Sequence, residues 1–364
     1  MNRIIISVTN DLATDQRVHR TCECFNEMGF EILLIGRQLK NSLEANYPYK
    51  TMRFHLIFNK GFLFYAEFNL RLFFKLLFIK KEVIYANDLD TLLPNFLVSK
   101  LSSCKLIYDS HEYFTEVPEL ISKPRTRSFW MKLEEYIFPK LNNAITVNQK
   151  LAEIYSSKYK VPVTVIRNVP NTRLKEEAKP FVFEKGVRKM ILYQGALNMG
   201  RGLELMIDAM PYLKNHQLVL AGYGDIMAEL KSKVLASHLQ HKVIFLGKLR
   251  PEDLREVTKQ ADIGLSLEED MGLNYRYCLP NKVFDYIHAG IPVLVSELPL
   301  LQELLKQYKI GESLKTRNPK SLAKAIEKII VNKSDYLQEL ERATANLNWE
   351  KEKFILMEFI KEIE

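Results

Sequence analysis

Short runs of aliphatic and β-branched residues recur along the chain, and each is followed by a longer stretch in which apolar positions return every three or four residues. That alternation marks parallel βαβ units, as opposed to an all-β protein or a helical bundle. In the first half it predicts strands at 3–9, 30–35, 83–86, 105–108 and 144–147. The helix after the first strand puts Val18, Cys22 and Phe25 on one face and stops at Gly29, which suits the left-handed turn at a helix end. A second series follows, with strands at 190–194, 217–221, 243–246, 263–266 and 292–295, and helices that include 203–210 and 283–288. Between the two series runs RNVPNTRLKEEAKPFVFEKG, polar and punctuated by Pro170 and Pro180. The expected organisation is a first domain over 1–170, a linker over 171–187, a second domain over 188–345, and a C-terminal helix over 346–364 with a path back to the first domain.

Length agrees with this division, since 364 residues exceed what one ordinary core serves. With 47% hydrophobic and 26% charged residues, each half holds enough apolar material for a core of its own. The longest apolar stretch, 61–79, is broken by Glu67, Asn69, Arg71 and Lys75, which are expensive at the centre of a bilayer. It reads as a core helix with a solvated basic edge. The competing reading is an interfacial helix, with its phenylalanines inserted and Arg71, Lys75, Lys80 and Lys81 at anionic headgroups. The N-terminus runs straight into a strand without the features of a secretory signal, so the expected location is cytoplasmic, including the inner face of the membrane.

Cys22, Cys24, Cys104 and Cys278 form no CxxC pair and stand at no zinc spacing, so neither a disulfide framework nor a metal is expected. The formal charge of +8 suits an anionic substrate or a membrane surface. Nucleic acid is not expected as a partner, because no helix-turn-helix, RNP-type or zinc-finger pattern directs that charge to bases.

Open parallel sheets bind ligands at the carboxyl ends of their strands, which selects the segments directly after each strand. Strand 190–194 runs into GALNMGRGLE, where Gly195, Gly200 and Gly202 allow tight turns, and where helix-start N–H groups and Arg201 suit a diphosphate. Gly222 follows the next strand, Gly247 and Lys248 the one after, and an acidic loop with Glu269 follows strand 263–266. In LPNKVFDYIHAGIP, Asn281 is placed to cap a helix whose start carries Lys282 and Asp285, a base for phosphate and an acid for ribose hydroxyls. In the first half, NDLATDQRVHR follows strand one, and IYDSHEYF puts His111 just past a strand. NDLD at 87–90 and RN at 167–168 also follow strands.

In this order the signals resemble the donor domain of the family 4 glycosyltransferases, the retaining GT-B group. Its phosphate loop, GxG turn, FLG turn, acidic loop and PNK helix are met by Gly195 to Gly202, Gly222 to Gly224, Phe245 to Gly247, Glu269 to Leu273, and Pro280 to Pro292. NDLATDQRVHR resembles the opening of the family's acceptor domain. Two departures stand out. The first basic residue of the phosphate loop falls near Ala196 or Leu197, and fifteen residues separate Glu269 from Asp285 where the family has seven.

The resemblance implies a GT-B fold, two Rossmann-like doubly wound α/β domains facing across a cleft. It implies retaining transfer of a sugar from a nucleotide-sugar donor to a glycan or lipid-linked acceptor in surface polysaccharide synthesis, without a catalytic metal or other cofactor. His111, Glu269 and Arg201 would be catalytic. Gly195, Gly200, Arg201, Gly202, Gly222, Gly247, Lys248, Lys282 and Asp285 would bind donor, while Asp11, Asp15 and Arg17 would face the acceptor. The rival readings are a GT-B epimerase or inverting transferase, and a non-catalytic membrane-associated scaffold. A dinucleotide oxidoreductase is disfavoured because NDLATD stands where GxGxxG would.

Overall fold

The computed structural model describes residues 3–12, 15–40, 42, 44, 46–172 and 185–363. Most of the expected linker, 173–184, therefore lies outside the described residues. The chain divides into two compact units, Met1–Asn168 with Glu352–Glu364, and Val169–Lys351. The helix Trp349–Ile363 carries the chain from the second unit into the first, where Glu352 accepts hydrogen bonds from the Arg167 backbone N–H at 2.8 Å and its Nε at 2.7 Å.

The first unit holds strands β1 (Arg3–Asp11), β2 (Glu31–Gln38), β3 (Lys50–His55), β4 (Val83–Asn87), β5 (Lys105–Ser110), β6 (Asn143–Thr146) and β7 (Val163–Val165). They form one sheet in the order β3-β2-β1-β4-β5-β6-β7, with every paired neighbour parallel. The second unit holds β8 (Lys189–Gln194), β9 (His216–Ala221), β10 (Val243–Gly247), β11 (Ile263–Ser266), β12 (Val293–Ser296) and β13 (Gly311–Leu314). Its sheet, ordered β10-β9-β8-β11-β12-β13, is again parallel.

Central strands such as β4 and β9 are buried along their whole length, because helices cover both faces of a parallel sheet. That is why they read as continuous apolar runs. In both sheets the strand order reverses beside the first strand, between β1 and β4 and again between β8 and β11. Those reversals leave a crevice at the carboxyl ends, where ligands of doubly wound sheets bind.

The helix Gly61–Phe78 packs Phe64, Phe68, Leu72 and Leu76 into the core with Ile5, Ile35, Ile84 and Val98. Its other face is also apolar, with Phe62, Leu63, Leu70, Phe74 and Phe78 exposed, Phe78 at 81%. The core reading of this segment therefore accounts for one stripe only. Glu67, the helix's one acid, is satisfied by Arg71 at 2.7 Å and by the N–H groups of Ile57 and Phe58. Among the described residues no helix is long and apolar enough to cross a membrane.

Candidate functional site

At the reversal point of the second sheet, three elements converge on one buried carboxylate. Glu268 stands just past β11, is fully buried, and receives Lys282 Nζ at 2.6 Å and Ser266 Oγ at 2.7 Å. Arg201 Nη1 lies 3.5 Å from the same Oε1 that Lys282 holds. Burial alone would raise the Glu268 pKa, but Lys282 and Arg201 outweigh it and bring it down to about 2. Lys282 also sits 4.4 Å over the Tyr193 ring, and Arg201 4.5 Å over that of Tyr275. Two cations thus share one buried carboxylate.

The loop after β8 is fastened around this corner by its own backbone. Gly195 N donates to Ala221 O at 2.9 Å, Leu197 N to Tyr223 O at 3.2 Å, and Glu269 N to Gly200 O at 2.8 Å. A Cβ on Gly222 would stand 1.8 Å from Gly195 O, and one on Gly202 would stand 2.5 Å from Leu267 O, so both positions require glycine. The closeness that glycine permits draws the ends of β8, β9 and β11 together. The N–H groups of Gly195 and Leu197 are thereby used within the protein, while the start of the helix Leu203–Ala209 carries no side-chain cap.

The acidic loop separates its two glutamates. Glu269, expected as catalytic, has a side chain that is 46% exposed and lies 3.4 Å from Arg317. Glu268 occupies the inner position, held there by Ser266 and Lys282.

Asp285 lies one turn beyond Lys282 on the helix Asn281–His288 and accepts from Gln194 Nε2 at 2.7 Å. Gln194 is steadied in turn by Thr258, whose Oγ1 donates to its Oε1 at 2.7 Å. Asn281 makes no side-chain cap, because Pro280 occupies the cap position. Gly247 ends β10 and Lys248 follows it, two strands away from β8.

In the first unit the carboxyl ends of β4 and β5 bring Asp88, Asp109 and His111 together. His111 Nδ1 is 3.2 Å from Asp88 Oδ2, and its backbone N–H donates to Asp88 Oδ1 at 2.8 Å. Nε2 lies 3.3 Å from Asp109 Oδ2, at ion-pair distance but without the alignment of a hydrogen bond. Burial would lower the imidazole pKa, but the two carboxylates overcome it and hold it well above its ordinary value. The two carboxylates thus favour the protonated ring, which works against a role for His111 as a proton acceptor. Asp88 reaches its place with φ +59°, a left-handed backbone rare outside glycine.

Arg17, expected to face the acceptor, is turned into the interior of its domain. It is 3% exposed and grips Asp109 through Nε at 3.1 Å and Nη2 at 2.7 Å, with Nη1 on the Ile166 carbonyl at 2.8 Å. Asp15 caps the helix Gln16–Glu27 through the Val18 N–H at 3.2 Å. Asp11, at the end of β1, faces Arg53 at 3.8 Å. Among the described residues no group of three His, Cys, Asp or Glu side chains is arranged to hold a metal ion.

Residues 175–346 match the family model described as Glycosyl transferases group 1. An uncharacterized glycosyltransferase of Methanocaldococcus jannaschii is 29% identical over 270 residues, covering 69% of this chain and 66% of that protein. The chain spans less than half the length of two other curated relatives that it matches. Among solved structures, sucrose-phosphate synthase from Thermosynechococcus elongatus superposes with a TM-score of 0.78 at 17% identity, over 100% of this chain and 99% of that one. Anabaena HepE in complex with UDP-glucose gives 0.72 at 14%, over the whole of both chains. These likenesses establish two Rossmann-like parallel-sheet domains of GT-B type, the second carrying the group 1 glycosyltransferase pattern.

Proposed function

We propose that this chain, whose second domain carries the group 1 glycosyltransferase pattern, is a retaining transferase that takes a nucleotide-activated sugar in that domain and an acceptor in the first. The observation that carries the reading is the pairing of Arg201 and Lys282 on the single carboxylate of Glu268, at the point of the sheet where ligands collect. Two cations fixed there meet the negative charge that grows on a departing diphosphate, which is the kind of preorganised electrostatics that lowers barriers most. The family match over the same domain and the UDP-glucose complex of HepE support the donor class. Asp285, oriented by Gln194, suits the two hydroxyls of a ribose.

Both oxygens of Glu268 are engaged, Oε1 by Lys282 and Oε2 by Ser266, so it is a poor nucleophile. A front-face path fits better: the bond from sugar to phosphate breaks, the acceptor oxygen bonds on the same face, and the leaving phosphate takes the acceptor proton. Titration calorimetry with UDP-, GDP- and ADP-sugars tests the reading, with the anomeric configuration of the product followed by NMR. One of these donors is expected to bind, and Asp285→Ala to weaken it roughly 10- to 100-fold through loss of charge-assisted hydrogen bonds. Binding of none of them, or a product of inverted configuration, counts against it.

In the same reading the acceptor is a glycan or lipid-linked glycan of a surface polysaccharide, met at an anionic bilayer. The support is the doubly apolar helix Gly61–Phe78, whose outer face carries exposed phenylalanines with Arg71, Lys75 and Lys80 beside them. Each basic residue near an anionic surface contributes about 1 kcal/mol, screened by salt. Purified chain should float with anionic vesicles at low salt and separate from them at high salt, and Phe74→Ser with Phe78→Ser should stay behind. Indifference to vesicle charge, or flotation of the variant equal to the native chain, excludes a bilayer as the partner of this face.

A further inference from the structure

The carboxyl end of the first sheet holds a second polar cluster that the donor chemistry leaves without a role. Arg37, near the end of β2, lies with its guanidinium carbon 4.5 Å above the Phe64 ring. Its Nε is enclosed and unpartnered, and among the described residues no hydrogen bond or ion pair reaches the guanidinium. Burial lowers its pKa, opposed in part by Tyr65, Asp90 and Asp11, the titratable groups close enough to act on it. Asp90, on the first turn after β4, is 7% exposed. Its Oδ2 takes the Thr9 hydroxyl at 2.5 Å, its backbone carbonyl takes Asn69 at 2.9 Å, and its Oδ1 has no partner. Burial first, and then Asp88, lifts its pKa to about 7.

A half-buried cation with no hydrogen-bond or ion-pair partner among the described residues, and a buried carboxyl with an unpartnered oxygen, each cost stability, and apolar residues at these positions would not. Both stand where β1, β2 and β4 end, beside the strand-order reversal that positions ligands in such sheets. One ligand answers both, provided it offers an anionic oxygen to the guanidinium and a hydroxyl to the carboxyl oxygen. We propose that Arg37 and Asp90, with Thr9 at their side, form a subsite in the first domain for an acceptor sugar that carries an anionic group. Arg37 pairs with the anion, and Asp90 Oδ1 accepts from a neighbouring hydroxyl. This deepens the transferase reading and rests on its assignment of the acceptor to the first domain.

The test is calorimetric binding of a neutral hexose, a hexose phosphate and a hexuronate to the full chain without donor, so that phosphate and carboxylate are distinguished. An anionic sugar should bind and the neutral hexose should not. Arg37→Gln should weaken the anionic sugar roughly 10- to 100-fold, as loss of a charge-assisted contact does. Asp90→Asn should weaken the sugar more than it weakens inorganic phosphate. The unliganded Arg37→Gln protein should melt no lower than the native chain, because a stranded cation has been removed; a structural arginine would lower the midpoint and leave sugar binding alone. Equal binding of neutral and anionic sugars, binding of neither, or full affinity in Arg37→Gln overturns the proposal. Nucleotide-sugar affinity, measured on the same variants, should not change. An anionic-sugar site in a chain that binds no nucleotide sugar would sink the transferase reading and leave the subsite standing.

Discussion

Glu268→Gln is expected to lower the unfolding midpoint of the second domain by roughly 6 to 20 °C, and added diphosphate should restore more stability to this variant than to the native chain. The carboxylate is wholly buried with Lys282 at 2.6 Å and Arg201 at 3.5 Å. Neutralising it leaves two cations facing each other out of water, and breaking a buried pair from one side costs about 3–5 kcal/mol. For a domain of this size each kcal/mol moves the midpoint by about 2–4 °C. An anion that binds between the cations replaces the lost charge and stabilises the folded form by mass action.

Glu269→Gln is the matched control. That side chain is largely in water, and its loss should stay within about 0.5 kcal/mol. Calorimetric scans with and without diphosphate separate the two variants, and equal melting would remove Glu268 from the centre of the cluster. Acid adds a second signature. The folded pKa of Glu268 is depressed from 4.5 to about 2, so its contribution is complete above pH 4.5 and is lost as the pH falls toward 2. The glutamine variant lacks that group, and its stability should vary less over the same window.

Arg17→Met should destabilise the first domain by a similar margin, about 3–5 kcal/mol, while leaving nucleotide-sugar affinity untouched. Asp109 is fully buried and loses both arms of the guanidinium, retaining the Tyr85 hydroxyl at 2.8 Å and the nearby His111 ring. Arg17→Lys should recover only part, since a point charge replaces a planar fork. In the native chain burial works to raise the Asp109 pKa, but Arg17 and His111 prevail and hold it below the ordinary carboxylate range. The stability that Asp109 contributes is therefore present at neutral pH and lost as the pH drops below that range. Combining Arg17→Met with Asp109→Asn should cost less than the sum of the two changes, because both break one contact. Additive losses in denaturant titration, or a fall in donor affinity at unchanged stability, would contradict this structural role for Arg17.

Arg17 and Glu268 also mark how far the chain could be read in advance. NDLATDQRVHR places Arg17 near the end of β1, but its orientation depends on Asp109, 92 positions away. Because the carboxylate is buried within the sheet, the arginine turns inward to meet it. Asp88 and Asp90 lay within a segment, NDLD, distinguished in the sequence only by its place after a strand. Their distinction comes from strained backbone at one and an unpartnered oxygen at the other, neither of which leaves a mark on residue type. The strands that hydrophobic pattern overlooked, β3, β7 and β13, all lie at sheet edges. Half-exposed there, they carry mixed residues such as KTMRFH and GESL in place of an apolar run.

Two parallel sheets, and the loops at their carboxyl ends, were legible in the chain because short apolar runs alternating with stretches of period 3.6 force βαβ units, and right-handed crossovers leave few ways to order them. Glycines 195, 200, 202 and 222 could be assigned to those loops for the same reason, since tight returns after strands exclude most other residues. Which of two adjacent glutamates turns inward, which arginine is buried, and whether a histidine is charged were decided by tertiary structure alone. These properties depend on burial and on partners brought from distant segments, as Lys282 is brought to Glu268 and Asp109 to Arg17. Local sequence sets where a side chain starts, but the field it meets in the folded chain sets its charge and its direction.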